Sequence, residues 1–400
     1  MSKQIAEPAS LAGQPLIKKS QYPLAAVIFL MLAYGVYGFI MTLLQGHHAW
    51  GTSDEIPWGI LLSTYVFFVV SSTGLCLCCS LGSVFQIKAF ETMGIRAVLM
   101  ALIGLVVGFI VIAMELAHPF RLLIWAVLSP NFSSTILLMG LLYGLYMVFL
   151  LFELWFIVRG NHQVARLFAT FAFFSAIVAH SNLGAVFGLL AARSAWYGPY
   201  LPIYFILSAL TSGAAILSII FYLVHRGGRE DHKDLVLALG KLLALFIGIT
   251  IFFTTWKVIA GIAGHVPGKY ESTMLYLNGP LRYNFWVFEV LIGMVGPILI
   301  ILRGGRKMGN VFLAALLTMV GIFVMRYDLV IGGQMVPVTI DHSVHTGYLS
   351  YTPSVAEWGI VIGALALVPI LYVIGMRFLS FLSGKFNHQR LVFKNISHSN

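Results

Sequence analysis

The chain has 400 residues, 60% of them hydrophobic and only 10% Asp, Glu, Lys or Arg, with a formal net charge of +10. A soluble domain runs about 25% charged, so this composition excludes a soluble enzyme, a nucleic-acid-binding protein and a disulfide scaffold. The apolar residues instead fall in long unbroken runs, and about 20 such residues are what a helix needs to cross a hydrocarbon layer.

Ten spans are predicted in chain order, at 22–44, 57–85, 94–118, 132–158, 164–190, 201–225, 235–262, 279–302, 309–330 and 355–380. All are read as helices, because lipid offers an unpaired backbone group no partner. The first is too long for a signal-peptide core and carries Gly35-Val-Tyr-Gly38. The second opens on Pro57, holds Tyr65 about 12 Å further in, and contains all three cysteines, Cys76, Cys78 and Cys79. An iron–sulfur cluster needs about four thiolates, so these cannot hold one.

The third span carries Gly104 and Gly108 and ends on Glu115-Leu-Ala-His-Pro-Phe-Arg121. Glu115 and His118 share a helix face there, unless His118 before Pro119 simply ends the helix. The fourth has Gly140 and Gly144 at a spacing that reports close helix packing, and Glu153, expected to pair with Arg159. The fifth places His180-Ser-Asn182 about 15 Å deep. His180 is the one histidine well inside a span, so no facing pair for a b-type haem is visible, nor any phosphate loop, zinc spacing or hydrolase triad. Arg193 follows outside this span and Lys257 lies in the seventh. The eighth carries Glu289 about 15 Å in, just before Gly293, Gly296 and Pro297, which predict a kink. Arg326 and Asp328 at the end of the ninth span and Glu357 at the start of the tenth are expected to form an ion-pair network near the outer surface.

Eighteen of the 24 Lys and Arg residues fall on one side of this arrangement, and six, Arg121, Arg193, Lys257, Lys269, Arg282 and Arg326, on the other. The basic side faces the cytoplasm in most membrane proteins, so both termini are expected inside. The two longest outer connections, 262–278 and 331–354, point to an outward working or docking face. Glu115, His118, Arg121, Tyr65, His180 and Asn182 would form a polar patch opening outward. Ionisable groups at membrane depth are functional candidates, and Glu289 beside a broken helix has the setting of a proton relay. Buried ionisable residues and a helix break also fit a secondary transporter.

Three further stretches are His180-Ser-Asn-Leu-Gly-Ala-Val-Phe-Gly, Trp196-Tyr-Gly-Pro-Tyr-Leu-Pro-Ile-Tyr-Phe and Ser208-Ala-Leu-Thr-Ser-Gly213. Together with Pro57-Trp-Gly, the Glu115 motif, Phe285-Trp-Val-Phe-Glu289 and Tyr351-Thr-Pro-Ser-Val-Ala-Glu357, they make the chain resemble the NrfD-like family of membrane subunits over roughly residues 55–380. The resemblance implies an all-α, polytopic membrane protein. Two four-helix bundles, 57–190 with a quinone site and 201–330, would be flanked by helices 22–44 and 355–380. A cytoplasmic segment 1–21, a periplasmic loop 331–354 and a cytoplasmic tail 381–400 complete it.

It further implies a respiratory subunit in the bacterial inner membrane that binds quinone, menaquinone in the first instance. The chain itself would bind neither haem nor iron–sulfur cluster, and no metal. Electrons would pass to or from a docked periplasmic-side iron–sulfur subunit, with molybdopterin-type or multihaem cytochrome subunits beyond it. On this reading His180 hydrogen-bonds a quinone carbonyl and Glu115 exchanges protons. Tyr65, His118 and Asn182 contribute to binding the ring, Arg121 and Arg193 tune the charge, and Glu289, Arg326, Asp328 and Glu357 conduct protons. Many members have an acidic-Leu-Gly-Arg-Pro pattern where this chain has Glu115-Leu-Ala-His-Pro, so Arg121 would supply the positive charge.

Overall fold

The computed structural model describes residues 22–116, 124, 128–227, 232–338 and 347–397, the segment 385–397 by its backbone alone. Among the described residues the fold is entirely helical, and ten helices are long and apolar enough to cross a membrane. They are α1 (Tyr22–Gln45), α2 (Ile60–Ser83), α3 (Gly94–Glu115), α4 (Thr135–Val158), α5 (His162–Gly188), α6 (Tyr200–Arg226), α7 (Lys233–Ala263), α9 (Asn284–Gly304), α10 (Met308–Met335) and α11 (Val355–Ser397). A short α8 (Lys269–Leu277) lies between α7 and α9. It falls in a stretch read as loop, because nine residues with a polar first turn carry no membrane-span signal.

In its most apolar window α2 is 94% buried inside the protein, whereas α1 is 6% buried. The two sequences differ accordingly. The lipid-facing α1 is apolar on all sides, with Leu24, Phe29, Leu30 and Leu43 exposed. The buried α2 is rich in Ser, Thr and Cys, whose hydroxyls bond back to their own helix, as Thr64 does to the Ile60 carbonyl (2.8 Å) and Ser80 to that of Cys76 (2.8 Å). Small side chains let helices approach closely, and α2 packs on α3 and α5 on one side and on α6 and α10 on the other. Helices α4 and α5 pair, as do α6 with α7 and α9 with α10, while α11 lies along α1 and α3.

Pro57 does not begin α2, which starts at Ile60. Partners distant in sequence take the first amides instead: Gln334 accepts from Trp58 N (3.1 Å) and the Tyr351 hydroxyl from Ile60 N (2.8 Å). The kink expected around Pro297 takes the form of a π segment, Asn284–Val295, leading into Gly296-Pro297. Proline has no N–H for the carbonyl four residues earlier, and a wider turn ahead of it accommodates that loss. A second π segment, Asp328–Gly332, carries α10 beyond its expected end. Gly332 and Gly333 continue the helix because a Cβ there would overlap Tyr276 and Trp196.

Of the glycine pairs, Gly104 and Gly108 pack on α2, and Gly35 and Gly38 on α11 beside Gly363 and Gly359. Gly140 and Gly144 are different: among the described residues a Cβ on either meets nothing within 4 Å, so the expectation that they mark helix packing is corrected there.

Candidate functional site

His180 is fully buried on α5, with its ring inside the α2–α4–α5–α6 contact region. Its Nδ1 lies 3.2 Å from the Thr73 hydroxyl of α2 and 3.2 Å from the Tyr143 hydroxyl of α4. Thr73 gives its own proton to the Val70 carbonyl (2.8 Å). With Tyr143 donating to Nδ1, the ring proton sits on Nε2, which is sealed from solvent and, with the Phe205 main chain beside the ring, makes no well-formed hydrogen bond among the described residues. A buried donor left open is expensive, and this one suits a carbonyl oxygen. Its ring packs on Phe205 of α6 (centroids 5.7 Å apart), and the Arg326 guanidinium of α10 lies over the same Phe205 ring at 4.7 Å.

The other first-half candidates are spread along α2. Glu115 ends α3; both its carboxylate oxygens are withdrawn from solvent and make no well-formed hydrogen bond among the described residues, and the Gly59 main chain, just before α2, lies beside it. Tyr65 is buried further along α2, and His180 meets that helix at Thr73, eight residues or about 12 Å beyond Tyr65. The residues therefore form a line running inward rather than one patch at a single depth. Asn182 donates to the Thr135 carbonyl at the start of α4 (3.0 Å). Arg193 donates to the carbonyls of Gln334 (3.0 Å), Val336 (3.3 Å) and Glu55 (3.3 Å), which ties three connections together. Partial burial holds its pKa below the usual guanidinium range. His118 and Arg121 lie outside the described residues.

In the second half Arg326 is fully buried and donates to the Ser208 hydroxyl, leaving Nε and Nη1 without partners. Asp328 accepts from the Asn284 amide (2.8 Å) through one oxygen, while the other has no partner. Glu289 is buried beside Tyr204, Lys257 and Arg326, and the Lys257 ammonium lies 5.1 Å from the Tyr276 ring centroid. Outside the spans, burial and the nearby Asp328 carboxylate push the Tyr276 hydroxyl pKa well up. A small cavity, with about 10 Å³ of free space, lies against Glu289; its walls are apolar, and the hydroxyls of the neighbouring Ser208, Thr211, Thr250 and Thr318 bond back to carbonyls of their own helices.

Glu357 stands apart from this group. Its carboxylate accepts from Ser354 N (2.8 Å), Gly51 N (2.8 Å) and the Tyr351 hydroxyl (2.6 Å), on the Glu115 side of the molecule rather than beside Arg326.

The two halves repeat one frame. Tyr65 and Tyr204 each precede, by seven to nine residues, the triplets Ser72-Thr73-Gly74 and Thr211-Ser212-Gly213, and Gly74 and Gly213 touch across α2 and α6. His180 and Arg326 each stand 18 residues after the first residue of their helix. His180-Ser-Asn-Leu matches Arg326-Tyr-Asp-Leu, and Asn182 and Asp328 each bond the first residue of the preceding helix, Thr135 and Asn284. Reading the spans one by one misses Tyr143, Thr73 and Tyr204; the paired Tyr…Ser/Thr-Gly pattern is the signal that would have singled out Thr73 and Tyr204.

Among the described residues no group of three or more His, Cys, Asp and Glu side chains could hold a metal ion. Residues 48–338 match the family model of polysulphide reductase NrfD. An Hdr-like menaquinol oxidoreductase integral membrane subunit of Archaeoglobus fulgidus is 28% identical, covering 89% of this chain and 92% of its own. A selenate reductase subunit of Mesobacillus selenatarsenatis is 25% identical over 94% and 96% of the two chains. The menaquinone reductase integral membrane subunit of Nitratidesulfovibrio vulgaris is 20% identical over 88% and 90%.

Proposed function

The chain belongs to the polysulphide reductase NrfD family, and from that premise we propose that it is the quinone-reactive membrane subunit of a respiratory redox complex. It exchanges two electrons between the quinone pool, with menaquinone as the substrate, and an iron–sulfur subunit docked on the side of its long connections. Further redox subunits of molybdopterin or multihaem type stand behind that partner. Relatives named for menaquinol and menaquinone chemistry support the quinone, and relatives named as reductase subunits support the partners. The uneven distribution of Lys and Arg supports an inner-membrane orientation with both termini cytoplasmic and the docking face periplasmic.

The observation that carries the reading is the fully buried His180 ring, held by two hydroxyls on Nδ1, whose Nε2 makes no well-formed hydrogen bond among the described residues, with the Phe205 main chain beside it. A quinone carbonyl accepts from Nε2, Tyr143 holds the tautomer, and Tyr65 and Asn182 orient the ring within the first bundle, 57–190. Reduction joins two electrons and two protons to the quinone, and Glu115 is the carboxyl that exchanges a proton toward the long-connection side. His118 and Arg121, next in sequence, complete that end. Arg193 contributes charge and fixes the connections around it. The second bundle, 201–330, carries a proton path through Glu289, Arg326 and Asp328; the buried cluster these groups form with Lys257 and Tyr204 supports this.

Glu115→Gln and His180→Ala in the assembled complex test the site. General acid–base groups contribute about 10²–10⁴-fold, so quinone turnover falls by at least about tenfold in each while assembly persists. Normal turnover in both variants removes the assignment.

A further inference from the structure

Glu153 has no part in the site described above, yet it is a carboxyl buried to 3% exposure inside a span. A charge at such depth costs several kcal/mol unless it serves or pairs. Arg159, its expected partner at the end of the same helix, sets its guanidinium over the Trp155 ring at 4.5 Å. The electrostatic neighbours of Glu153 include Cys76 and Cys79 of α2 and Tyr146 of its own helix.

Tyr143, Tyr146, Leu150 and Glu153 are all buried on α4, at spacings that keep them on one face. Opposite them α2 brings Ser72 and Cys76 to Tyr146, and Cys76 and Cys79 into the neighbourhood of Glu153. The Tyr146 hydroxyl donates to the Ser72 carbonyl (3.0 Å), lies 3.4 Å from the Ser72 hydroxyl and sits beside the Cys76 thiol. Ser80 follows one turn on, bonded to the Cys76 carbonyl (2.8 Å). At the far end Thr73 and Tyr143 touch His180. Glu153 is five residues, about 7.5 Å, from the end of α4 at Val158, on the side of the short connections.

We propose that Glu153 is the terminus of a proton route along the α2–α4 seam, through which the His180 site exchanges protons with the short-connection side of the membrane. The inference rests on the quinone reading of His180. When quinone is reduced, a proton leaves the Glu153 carboxyl, passes the Cys76–Ser80 turn, the Tyr146–Ser72 pair and the Thr73 and Tyr143 hydroxyls, and reaches the reduced quinone oxygen through the imidazole; water on the short-connection side reprotonates Glu153. Quinol oxidation runs the same atoms in reverse. Leu150 interrupts the stripe on α4, and the route crosses that gap by way of Cys76 and Cys79 of α2, the electrostatic neighbours of Glu153.

The test uses the assembled complex in proteoliposomes, with Glu153→Gln, Glu153→Asp and Tyr146→Phe, reading quinone turnover and, with pH dyes, the side on which protons are taken up. Glu153→Gln is expected to keep quinone-analogue binding but lose at least about tenfold in turnover and its proton exchange with the short-connection side. Glu153→Asp restores part of both, and Tyr146→Phe slows turnover. Wild-type turnover and sidedness in Glu153→Gln overturn the inference. If that variant does not assemble, Tyr146→Phe decides, since it keeps the ring packing: unchanged turnover and sidedness there overturn it too. Failure of the underlying reading is distinct, because it shows as normal turnover in His180→Ala.

Discussion

Glu357 shows how a carboxylate at the edge of a span can be structural. Ser354 and Glu357 form a reciprocal cap, with Ser354 Oγ accepting from Glu357 N (3.1 Å) and the Glu357 carboxylate accepting from Ser354 N (2.8 Å). The same carboxylate holds Gly51 N and the Tyr351 hydroxyl, which in turn accepts from the first amide of α2. Burial and the adjacent carboxylate both raise the Tyr351 pKa, so this hydroxyl stays a donor. Glu357→Ala strands three donors and is expected to cost about 1–3 kcal/mol, seen as a lower thermal midpoint in detergent, whereas the KM for quinone in the surviving complex changes little. A fall in turnover without a fall in stability would instead place Glu357 in the proton path. The Ser-x-x-Glu signature of the cap was legible in the sequence. Grouping Glu357 with Arg326 followed instead from their shared position near one membrane surface, which says nothing about which way a side chain turns. His180 was legible for the opposite reason: a lone histidine deep in an apolar run has few bland explanations, while a tyrosine such as Tyr143 has many.

At the scale of elements, the ten spans could be read from apolar run length alone, because the membrane imposes that length from outside. The π segments could not, since they answer to packing: Gly293 of α9 and Gly321 of α10 approach so closely that a Cβ on either would meet the other's backbone. The same distinction separates the glycines. A methyl at Gly74 would overlap the Ala209 carbonyl, and one at Gly213 the Gly74 backbone, where α2 and α6 join the two halves. Gly74→Ala and Gly213→Ala are therefore expected to destabilise by about 1–3 kcal/mol or more through overpacking, measured as loss of monodisperse, folded protein on heating. Gly140→Ala and Gly144→Ala, where no described residue comes within 4 Å of the added methyl, are expected to leave that midpoint unchanged or to raise it slightly, since alanine favours helix. Sequence spacing alone assigns Gly104/Gly108 and Gly140/Gly144 the same role; only the neighbouring helices tell them apart.

Over the whole molecule, the repeated frame carries different charges in its two halves. The first sets neutral His180 and Asn182 where the second sets Arg326 and Asp328, and the second adds Lys257 and Glu289. Two buried cations facing two buried carboxyls keep the cluster compensated, which is the condition for holding charge at membrane depth. The halves also touch: Phe205 packs on His180 and lies under Arg326. Charge rearrangement in the second half is thus felt at the proposed quinone position. Replacing Glu289 with Gln removes one carboxyl while Lys257 and Arg326 remain, and takes away the titratable group of this cluster. If the second half conducts protons, Glu289→Gln in proteoliposomes lowers the number of protons translocated per electron while quinone turnover falls less. Parallel loss of translocation and electron transfer, with their ratio fixed, argues that the cluster serves the quinone site through its field and carries no path of its own.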